Sequence, residues 1–476
     1  MGQPPRAASA GSSAARRELA ELLGADAVLE GETAAYLTDA TESRRVRGCA
    51  DAIVLPADRD GVVAAVRWCD AHDVPIVPRG GGTGFAGGAV PIGGGVVLSL
   101  ERLRSPFALD APRWRAHVGA GIRTAELHRR ARESGLYYPP DPGAAEQSQL
   151  GGNIATNAGG PHTFKYGVTA QWVTGLEFVS ATGELVEVGG PLRKDAAGYD
   201  IRSLIVGSEG TLGIITAAWL RLIPAPELQL PVLAFYPDEQ TGCAAIERVF
   251  ATGLVPATLE YLDATTFDAA RGSFPGEEPQ QSAFMLVAEA DGTAIAAHEL
   301  RDELVEVMGE GAISVQAPTS LGEVRELWRW RGGVSLAVIA RRGGKVSEDI
   351  VVPVERLAEA IAQIREVGER HRLATCGWGH AGDGNVHATF MIDPADAAEV
   401  ARAELAAEDI FRVAAALGGS VSAEHGLGLV KSGALALQWD APALDLHERL
   451  KRMFDPKGLL NPGKKLARPG PRHGDR

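Results

Sequence analysis

The chain has 476 residues, a length at which two or three domains with cores of their own are expected. Its 47 Lys and Arg against 61 Asp and Glu give a formal net charge of −14, which argues against nucleic-acid and anionic-membrane partners. Glycine accounts for 58 of the 476 residues, well above the usual ~7%. This excess indicates loops that need left-handed backbone or that approach a large ligand closely.

Cysteine usage and the N-terminal sequence restrict the class of protein further. The four cysteines, at positions 49, 69, 243 and 376, are scattered and form no CxxC pair, so neither a disulfide framework nor a cysteine-ligated iron–sulfur cluster is expected. The first residues lack the continuous apolar stretch of a secretion signal, and no segment reaches the ~18 apolar residues of a membrane span. We therefore expect a soluble, cytoplasmic protein.

The first 226 residues predict a short helical lead and then a loop-rich domain. Residues 1–48 predict a tail and one helix that ends at Gly24. Residues 49–226 predict two strand–helix units, a glycine-dense loop from Arg79 to Gly95, and a hairpin that turns at Gly183. Loops of this kind are typical of a domain that holds a ligand.

The remaining residues predict a second domain and a C-terminal segment. Residues 227–430 alternate strands such as LPVLAFY with amphipathic helices, the pattern of a small α+β sheet domain, and they concentrate charge and histidine from Trp328 onward. Residues 431–476 predict a helical segment, an Asn-Pro-Gly turn and a disordered tail. We therefore expect the chemistry of the second domain to lie in its later half.

One glycine loop has the formal pattern G-x-G-x-x-G over residues 82–87. The dinucleotide fingerprint requires a helix to begin on the last glycine, whereas Pro91 and the three glycines at 93–95 break a helix here. The Rossmann interpretation is therefore excluded. What remains is either a surface loop without a ligand or a loop whose N–H groups, beside Arg79, bind a pyrophosphate.

Three further glycine-rich segments, at 151–153, 157–160 and 207–213, favour the second alternative, because four such loops indicate an extended cofactor. Three segments, taken in order, resemble the FAD-binding domain of flavin oxidoreductases related to vanillyl-alcohol oxidase: PRGGGTGFAGG, GGNIATNAGGPHTFKYGVT and VGSEGTLGIIT. More narrowly, the chain resembles the group of glycolate oxidase flavin subunits, D-lactate dehydrogenases and D-2-hydroxyglutarate dehydrogenases. The resemblance spans about residues 50–465.

This resemblance implies an α+β fold with three parts: a two-subdomain FAD-binding domain of the vanillyl-alcohol oxidase type, an α/β substrate (cap) domain, and a C-terminal segment that returns to the flavin. Some relatives tether FAD covalently through a histidine where this chain has Thr83, so non-covalent FAD is expected. The implied FAD-binding residues are Arg79, Gly80, Gly81, Gly82, Thr83, Gly84, Ser148, Gly151, Gly152, Asn153, Gly159, Gly160, Tyr166, Gly167, Glu209, Gly210, Gly213, Ile214 and Asn461.

The segment GWGHAGDGNVHATF places His380 and His387 seven residues apart, and on one straight strand they would point to opposite faces. The Gly-Asp-Gly-Asn turn between them predicts a reversal that brings both imidazoles to one side. Taken alone, they are either loop histidines satisfied by hydrogen bonds or metal ligands together with Glu424. The patterns GHxGDGNxH and EHGxG match the resembled group, which implies that these three residues bind a divalent metal, zinc or manganese.

The resemblance also implies a substrate and a base. A 2-hydroxy acid would chelate the metal, which acidifies its hydroxyl group. His425 would take that proton, because a histidine side chain titrates near neutral pH, while hydride passes from C2 to the flavin. Arg331 matches the arginine that clamps the substrate carboxylate, and Ser335 and Asn385 complete the implied substrate-binding set.

One departure from the pattern concerns substrate length. Relatives that prefer dicarboxylates place a lysine just before the Asp of the strand that follows, where this chain has Ser347 and Glu348 before Asp349. Lys345 is expected to approach from a different face. This departure favours lactate, glycolate or a larger monocarboxylate over 2-hydroxyglutarate.

The resemblance therefore implies an FAD-dependent, divalent-metal-assisted dehydrogenase that oxidises a lactate- or glycolate-like D-2-hydroxy acid to the 2-oxo acid. Because no cysteine cluster is present, electrons would pass to a separate acceptor, which is a quinone, an electron-transfer flavoprotein, a cytochrome or a partner subunit. Neither nucleic acid nor a membrane span is expected, and a homodimer is left open.

Two alternatives remain at this point. The first is a non-redox flavin transferase like alkyl-dihydroxyacetone-phosphate synthase, which presents a histidine run where this chain has Ala423, Glu424 and His425. The second is a flavin subunit of a multi-subunit glycolate oxidase, which acts only with its partners.

Overall fold

The computed structural model describes residues 10–41, 44, 46–277, 279 and 281–466, with side chains from residue 13 onward. The disordered tail predicted for the C-terminus and the start of the predicted N-terminal tail lie outside the described residues. The chain divides into two units. Unit 1 comprises the residues up to Ala158, Val168–Pro224 and the residues from Glu424 onward, and unit 2 comprises Gly159–Gly167 and Ala225–Ala423. The domain boundaries given above stay predictions.

Several of the longer helices begin at an aspartate that caps the first turn. The Asp58, Asp238 and Asp440 carboxylates each accept a hydrogen bond from a first-turn N–H, which satisfies a donor that the helix itself cannot. The helices are α1 (Ala10–Leu23), α2 (Arg59–Ala71), α3 (Thr124–Glu133), α4 (Leu150–Thr156), α5 (Thr163–Tyr166), α6 (Ile201–Ile205), α7 (Glu239–Ala251), α8 (Ala264–Ala270), α9 (Ala294–Gly309), α10 (Leu321–Arg342), α11 (Leu357–His371), α12 (Ala397–Ala416) and α13 (Ala441–Phe454). The described part of the chain contains no helix with both the length and the apolar character needed to traverse a bilayer.

The strands carry most of the buried apolar residues. They are β1 (Val28–Glu30), β2 (Ala52–Val54), β3 (Ile76–Arg79), β4 (Val96–Ser99), β5 (Phe107–Asp110), β6 (Arg115–Gly119), β7 (Leu136–Tyr137), β8 (Val173–Val179), β9 (Leu185–Gly189), β10 (Ile214–Arg221), β11 (Ile223–Pro224), β12 (Leu228–Tyr236), β13 (Thr258–Asp263), β14 (Phe284–Gly292), β15 (Ser314–Gln316), β16 (Gly344–Val351), β17 (Ala374–His380) and β18 (Asn385–Ile392).

Unit 1 contains two larger sheets. The first has the order β1-β2-β4-β3, in which β2, β4 and β3 run parallel around a small core of Ile53, Leu55 and Val97. The second has the order β5-β6-β10-β8-β9 and is antiparallel. The predicted hairpin at Gly183 joins β8 to β9, and α1 ends at Leu23 beside Gly24, so both predictions are confirmed. Residues 80–95 contain no helix, as the broken fingerprint requires.

Unit 2 is built on one antiparallel sheet with the order β15-β12-β14-β13-β17-β18-β16. Its strands are buried along most of their length, because helices pack against the sheet, and α10 contributes Leu327, Trp330 and Val334 to the core. The β17–β18 hairpin forms at the Gly-Asp-Gly-Asn turn, as predicted. Strand β13 lies beside β17, so residues more than 100 positions apart in sequence become neighbours at the centre of the sheet.

A substitution at Gly242 in α7 tests how closely this helix packs against the sheet of unit 2. A Cβ at this position would lie 2.1 Å from Cδ1 of Phe284, whereas a Cβ at the helical Gly332 would meet no heavy atom within 4 Å. We expect Gly242→Ala to destabilise the unit by about 1–3 kcal/mol through overpacking. Gly332→Ala, the matched control, is expected to be neutral or stabilising by up to about 1 kcal/mol. Thermal unfolding followed by circular dichroism measures both, and equal midpoints would contradict the packing described here.

Candidate active site

The first glycine loop of unit 1 packs against the segment that leads into α4. A Cβ at Gly80 would lie 3.2 Å from Cα of Gly152, and one at Gly81 would lie 2.3 Å from the carbonyl oxygen of Gln147. The two backbones therefore approach each other at distances that only glycine permits. The Arg79 side chain is 8% exposed, and its guanidinium donates to the carbonyls of Ala35 (2.8 Å) and Thr38 (2.8 Å). These bonds connect the start of the glycine loop to the segment that contains Ala35 and Thr38.

The same unit contains buried polar side-chain atoms that lack hydrogen-bond partners. Gln149 Oε1, Ser208 Oγ and Asn461 Oδ1 are buried and have no hydrogen-bond partner among the described residues. The Asn153 amide, by contrast, donates to Thr124 Oγ1 (2.5 Å), which in turn lies 2.9 Å from Ser148 Oγ. Buried polar atoms without partners are uncommon in native proteins. A glycine-lined surface with such atoms fits a large polar cofactor such as FAD.

Glu209 is the residue that joins the loops of unit 1. Its carboxylate accepts hydrogen bonds from the N–H groups of Leu427 (2.9 Å) and Gly428 (2.6 Å), and Lys465 Nζ lies 3.2 Å away. Its carbonyl accepts from Asn461 Nδ2 at 2.8 Å. Glu209 is 7% exposed and has a φ of 56°, a left-handed conformation that is strained for a residue other than glycine. This conformation directs the buried carboxylate toward these donors. The distant segments that contain Glu209, Leu427 and Asn461 are thereby tied together.

The segment that follows carries Glu424 and His425. Their side chains are 3.6 Å apart, and the His425 ring lies 5.0 Å from the Phe85 ring of the glycine loop. Gly428 has a φ of 47°, and a Cβ there would lie 2.1 Å from the Ala86 carbonyl oxygen. Gly428, the second glycine of the EHGxG pattern, therefore allows this segment to lie directly against the glycine loop.

In unit 2 the hairpin brings the two predicted histidines together. The rings of His380 and His387 lie 5.4 Å apart, close to perpendicular, and both side chains are nearly buried. His387 Nδ1 lies 4.0 Å from Asp349 Oδ1 on the neighbouring strand. The Asp349 carboxylate is completely buried and accepts from Asn385 Nδ2 (2.7 Å) and from the Ala423 N–H (3.0 Å). Imidazole and carboxylate groups so arranged fit a divalent cation by donor chemistry.

A buried glutamate that the sequence analysis missed organises the other side of this hairpin. Glu260 on β13 accepts from His380 Nδ1 at 2.5 Å and forms an ion pair with Arg331 of α10. Burial opposes its ionisation, but the interactions with His380 and Arg331 outweigh that effect and hold the pKa of Glu260 below its ordinary value. A carboxylate on Nδ1 fixes the histidine tautomer in which Nε2 carries the lone pair, as metal-binding histidines require.

Arg331 and Ser335 occupy one face of α10, four residues apart. Arg331 Nε is buried and has no partner among the residues that the structure describes, whereas the exposed Arg325 and Arg329 lie on other faces. Ser335 Oγ accepts a hydrogen bond from Lys345 Nζ at 2.6 Å. Lys345 shares a face of β16 with Ser347 and lies on the face opposite Glu348. Strand β16 pairs with β18 without a register shift, so side chains two residues apart share a face.

The predicted FAD-binding residues are divided between the units. Gly159, Gly160, Tyr166 and Gly167 belong to unit 2, and the others belong to unit 1. Tyr166 OH donates to Asp291 at 2.5 Å, and burial together with that carboxylate raises the pKa of Tyr166. Its neighbour Lys165 forms an ion pair with the same aspartate.

The remaining candidates in unit 1 differ in exposure and packing. Thr83 is partly exposed, and Gly84 is exposed with open space beside it. Gly210 packs on Pro78, Gly213 packs on Phe178, and Ile214 begins β10. Their roles toward FAD stay predictions.

Comparisons with known proteins define the class. A model of FAD-binding domains matches residues 50–189, and a model of the C-terminal domain of FAD linked oxidases matches residues 225–465. The chain is therefore a flavoprotein of mixed helix and sheet, and it belongs to the family of FAD-linked oxidases. The predicted family and the predicted fold class are confirmed.

Relatives and solved structures support this assignment. The chain is 36% identical to the glycolate oxidase subunit GlcD of Bacillus subtilis over 91% of this chain and 92% of that protein. It is 32% identical to D-lactate dehydrogenase of Anaerostipes hadrus (87% and 89% covered) and 36% identical to D-2-hydroxyglutarate dehydrogenase of Xanthomonas citri (87% and 88% covered). Two solved structures share the fold at 18% identity. They are p-cresol methylhydroxylase, with a TM-score of 0.81 (97% and 98% covered), and alkyldihydroxyacetonephosphate synthase, with a TM-score of 0.76 (97% and 86% covered).

The Glu209 arrangement yields a stability prediction. Glu209→Gln replaces one acceptor oxygen by an NH₂ group that faces backbone donors, so we expect a loss of about 1–3 kcal/mol. The exposed Glu187→Gln in the same unit is the matched control. Urea unfolding and the FAD content of the purified variants measure the effect. A Glu209→Gln protein as stable as the control would contradict the structural role given to this carboxylate.

Proposed function

We propose that the chain is an FAD-dependent, divalent-metal-assisted dehydrogenase that oxidises a D-2-hydroxy acid to the 2-oxo acid. The observation that carries the proposal is the similarity, over about nine-tenths of both chains, to a glycolate oxidase subunit, together with D-lactate and D-2-hydroxyglutarate dehydrogenases among the relatives. The His380–Glu260–Arg331 arrangement supports it, because it supplies an oriented imidazole and a buried guanidinium. The cytoplasmic location stays a prediction.

FAD, bound without a covalent link, would supply the two-electron redox chemistry on the glycine loops of unit 1. His425 takes the proton of the substrate hydroxyl group, which leaves the C2–H bond to break as hydride. Arg331 holds the substrate carboxylate, for which a guanidinium offers two parallel donors. Asn385 and Ser335 orient the rest of the substrate. A separate acceptor, which is a quinone, an electron-transfer flavoprotein, a cytochrome or a partner subunit, would take up the two electrons.

The ligands proposed for the divalent ion, zinc or manganese, are His380, His387 and Glu424. Two imidazoles and one carboxylate leave coordination positions for a substrate hydroxyl and carboxylate oxygen. The buried Asp349 beside His387 is a further anionic group in unit 2 that favours a cation.

A flavin subunit that acts only within a larger glycolate oxidase is the second candidate, and the similarity to a protein named as such a subunit favours it. The non-redox transferase rests on fold likeness alone, at 18% identity.

An anaerobic absorption spectrum tests the proposal. The purified protein is mixed in separate cuvettes with D-lactate, glycolate, D-malate and D-2-hydroxyglutarate, and we expect at least one acid to bleach the flavin band. A flavin that no hydroxy acid reduces would contradict dehydrogenase activity of the isolated chain. Turnover with an artificial dye separates an independent enzyme from a partner-dependent subunit.

His425→Ala is expected to keep the flavin spectrum and to slow flavin reduction by about 10²–10⁴-fold, because the proton acceptor is lost. The exposed His298→Ala in α9 serves as control. Stopped-flow absorbance measures the reduction rate. Reduction at the control rate would rule out His425 as the base.

Glu424→Gln is expected to lose bound metal and activity together while the FAD content is retained, because one anionic ligand of the ion is removed. The exposed Glu299→Gln is the matched carboxylate control. Elemental analysis by mass spectrometry gives the metal content per chain. Stoichiometric metal in Glu424→Gln, or none in the unaltered protein, would contradict this ligand set.

A further inference from the structure

A cavity of about 350 Å³ lies in unit 2, between helices α7 and α11 and over strands β13 and β17. Tyr261 and Gly377 line it, and consecutive residues of a strand point to opposite faces of the sheet. The cavity is therefore on the side of the sheet away from Glu260, which follows the opposite direction to Tyr261 on β13 and pairs with Arg331 of α10. Its volume is within the range of small-molecule sites.

Tyr261 brings an unused hydroxyl group to the base of this cavity. Its side chain is fully buried, and its ring stacks on the Phe284 ring at 5.4 Å between centroids, which fixes its direction. The Oη atom has no hydrogen-bond partner in the part of the chain that the structure describes. Burial raises the pKa of the phenol, so the hydroxyl group stays protonated. A buried hydroxyl group without a partner is costly, and one that lines a cavity is available to a ligand.

Gly377 leaves room beside this hydroxyl group. A Cβ at Gly377 would lie 3.4 Å from Oδ2 of Asp263 and 3.6 Å from Oη of Tyr261. Apart from its neighbours in the chain, no other heavy atom of the described residues would lie within 4 Å of that Cβ. The missing side chain therefore leaves a space with two polar walls, and a ligand atom placed there would contact the carboxylate and the phenol together.

Asp263 is a partly buried carboxylate without a cation beside it. Its oxygens accept hydrogen bonds from the N–H groups of Thr266 and Gly377, both at 2.7 Å, and among the described residues no Lys, Arg or His forms an ion pair with it. Burial raises the pKa of Asp263 to about 6, so the group is mostly ionised at neutral pH. Because each carboxylate oxygen has two lone pairs, these bonds leave capacity for a ligand.

The rest of the lining supplies an apolar wall and further negative charge. Ile364 of α11 and Val386 of β18 are buried and apolar. At the rim, Glu239 forms an ion pair with the exposed Arg365, and Asp238 adds a carboxylate. The lining residues thus include three carboxylates and one guanidinium. This charge favours a cation, and the apolar wall favours an organic ligand over a bare metal ion.

We infer that this cavity binds an organic cation, namely a primary ammonium group on a small apolar body. The ammonium group occupies the space beside Gly377, where the Asp263 carboxylate and Tyr261 Oη accept its hydrogen bonds. The apolar body lies against Ile364 and Val386. Since the cavity is on the other side of the sheet from Glu260 and its partners, the inference does not depend on the proposed function.

Ligand-observed NMR titrations of the FAD-loaded full chain test the inference. The probes are n-butylammonium and 1-butanol, which have the same apolar chain and differ in charge. We expect n-butylammonium to bind about 10-fold or more tightly than 1-butanol, because it alone offers a charged donor to Asp263. Equal affinities of the two probes, or no binding of n-butylammonium, would overturn the inference.

Gly377→Ala locates the binding site. Its methyl group fills the space beside Asp263 and Tyr261 at distances of ordinary contact, so the variant is expected to fold and to weaken n-butylammonium by about 10-fold or more. Gly272→Ala, at an exposed glycine with open space beside it, is the matched control. Thermal unfolding checks that both variants are folded. An affinity of Gly377→Ala equal to that of the control contradicts this location.

Two further variants test the polar groups separately. Tyr261→Phe keeps the ring on Phe284 and removes only the unpartnered hydroxyl group, so it is expected to weaken n-butylammonium by about 2- to 10-fold. Asp263→Asn keeps an oxygen that caps α8 and removes the charge, and it is expected to weaken the same probe by about 10- to 100-fold while 1-butanol is unaffected. The exposed Asp302→Asn is its control. Unchanged n-butylammonium affinity in Asp263→Asn overturns the inference, whether or not any 2-hydroxy acid reduces the flavin.

Discussion

Unit 1 depends on one buried carboxylate. Glu209 accepts from the N–H groups of Leu427 and Gly428 and is held by Asn461 through its own carbonyl, so three segments that are far apart in sequence share one residue. Such charge-assisted bonds are strong where water is excluded. They fix the segment that carries Glu424 and His425, and the positive φ of Glu209 is the strain that this arrangement tolerates. The glycines around it allow the backbones to lie close enough for these bonds.

Unit 2 contains a buried carboxylate with two partners. Glu260 accepts a hydrogen bond from His380 and pairs with Arg331, and its negative charge keeps an imidazole oriented and a guanidinium in place. Because an uncompensated buried charge is costly, this pairing within the protein is what allows the carboxylate to lie in the sheet. Catalytic sites commonly concentrate such perturbed groups.

Local patterns predicted much of the fold. The helix that ends at Gly24, the hairpin at Gly183 and the reversal between His380 and His387 follow from turn chemistry and capping that act over a few residues. The face that Lys345 occupies is a different matter, because it depends on where β16 begins, which is Gly344, and on its pairing with β18 without a register shift. Element boundaries are the part of a local pattern that tertiary pairing decides.

By itself, the sequence determined the family, the glycine loops in their order and the residue types of the candidate site, because those features lie in contiguous motifs with strong local constraints. Only the tertiary structure decided which charges meet. Glu260 stands 120 positions before His380, and the two become neighbours because β13 pairs with β17 in the middle of the sheet. Strand order is set by the packing of the whole unit, and no periodicity within a segment encodes it.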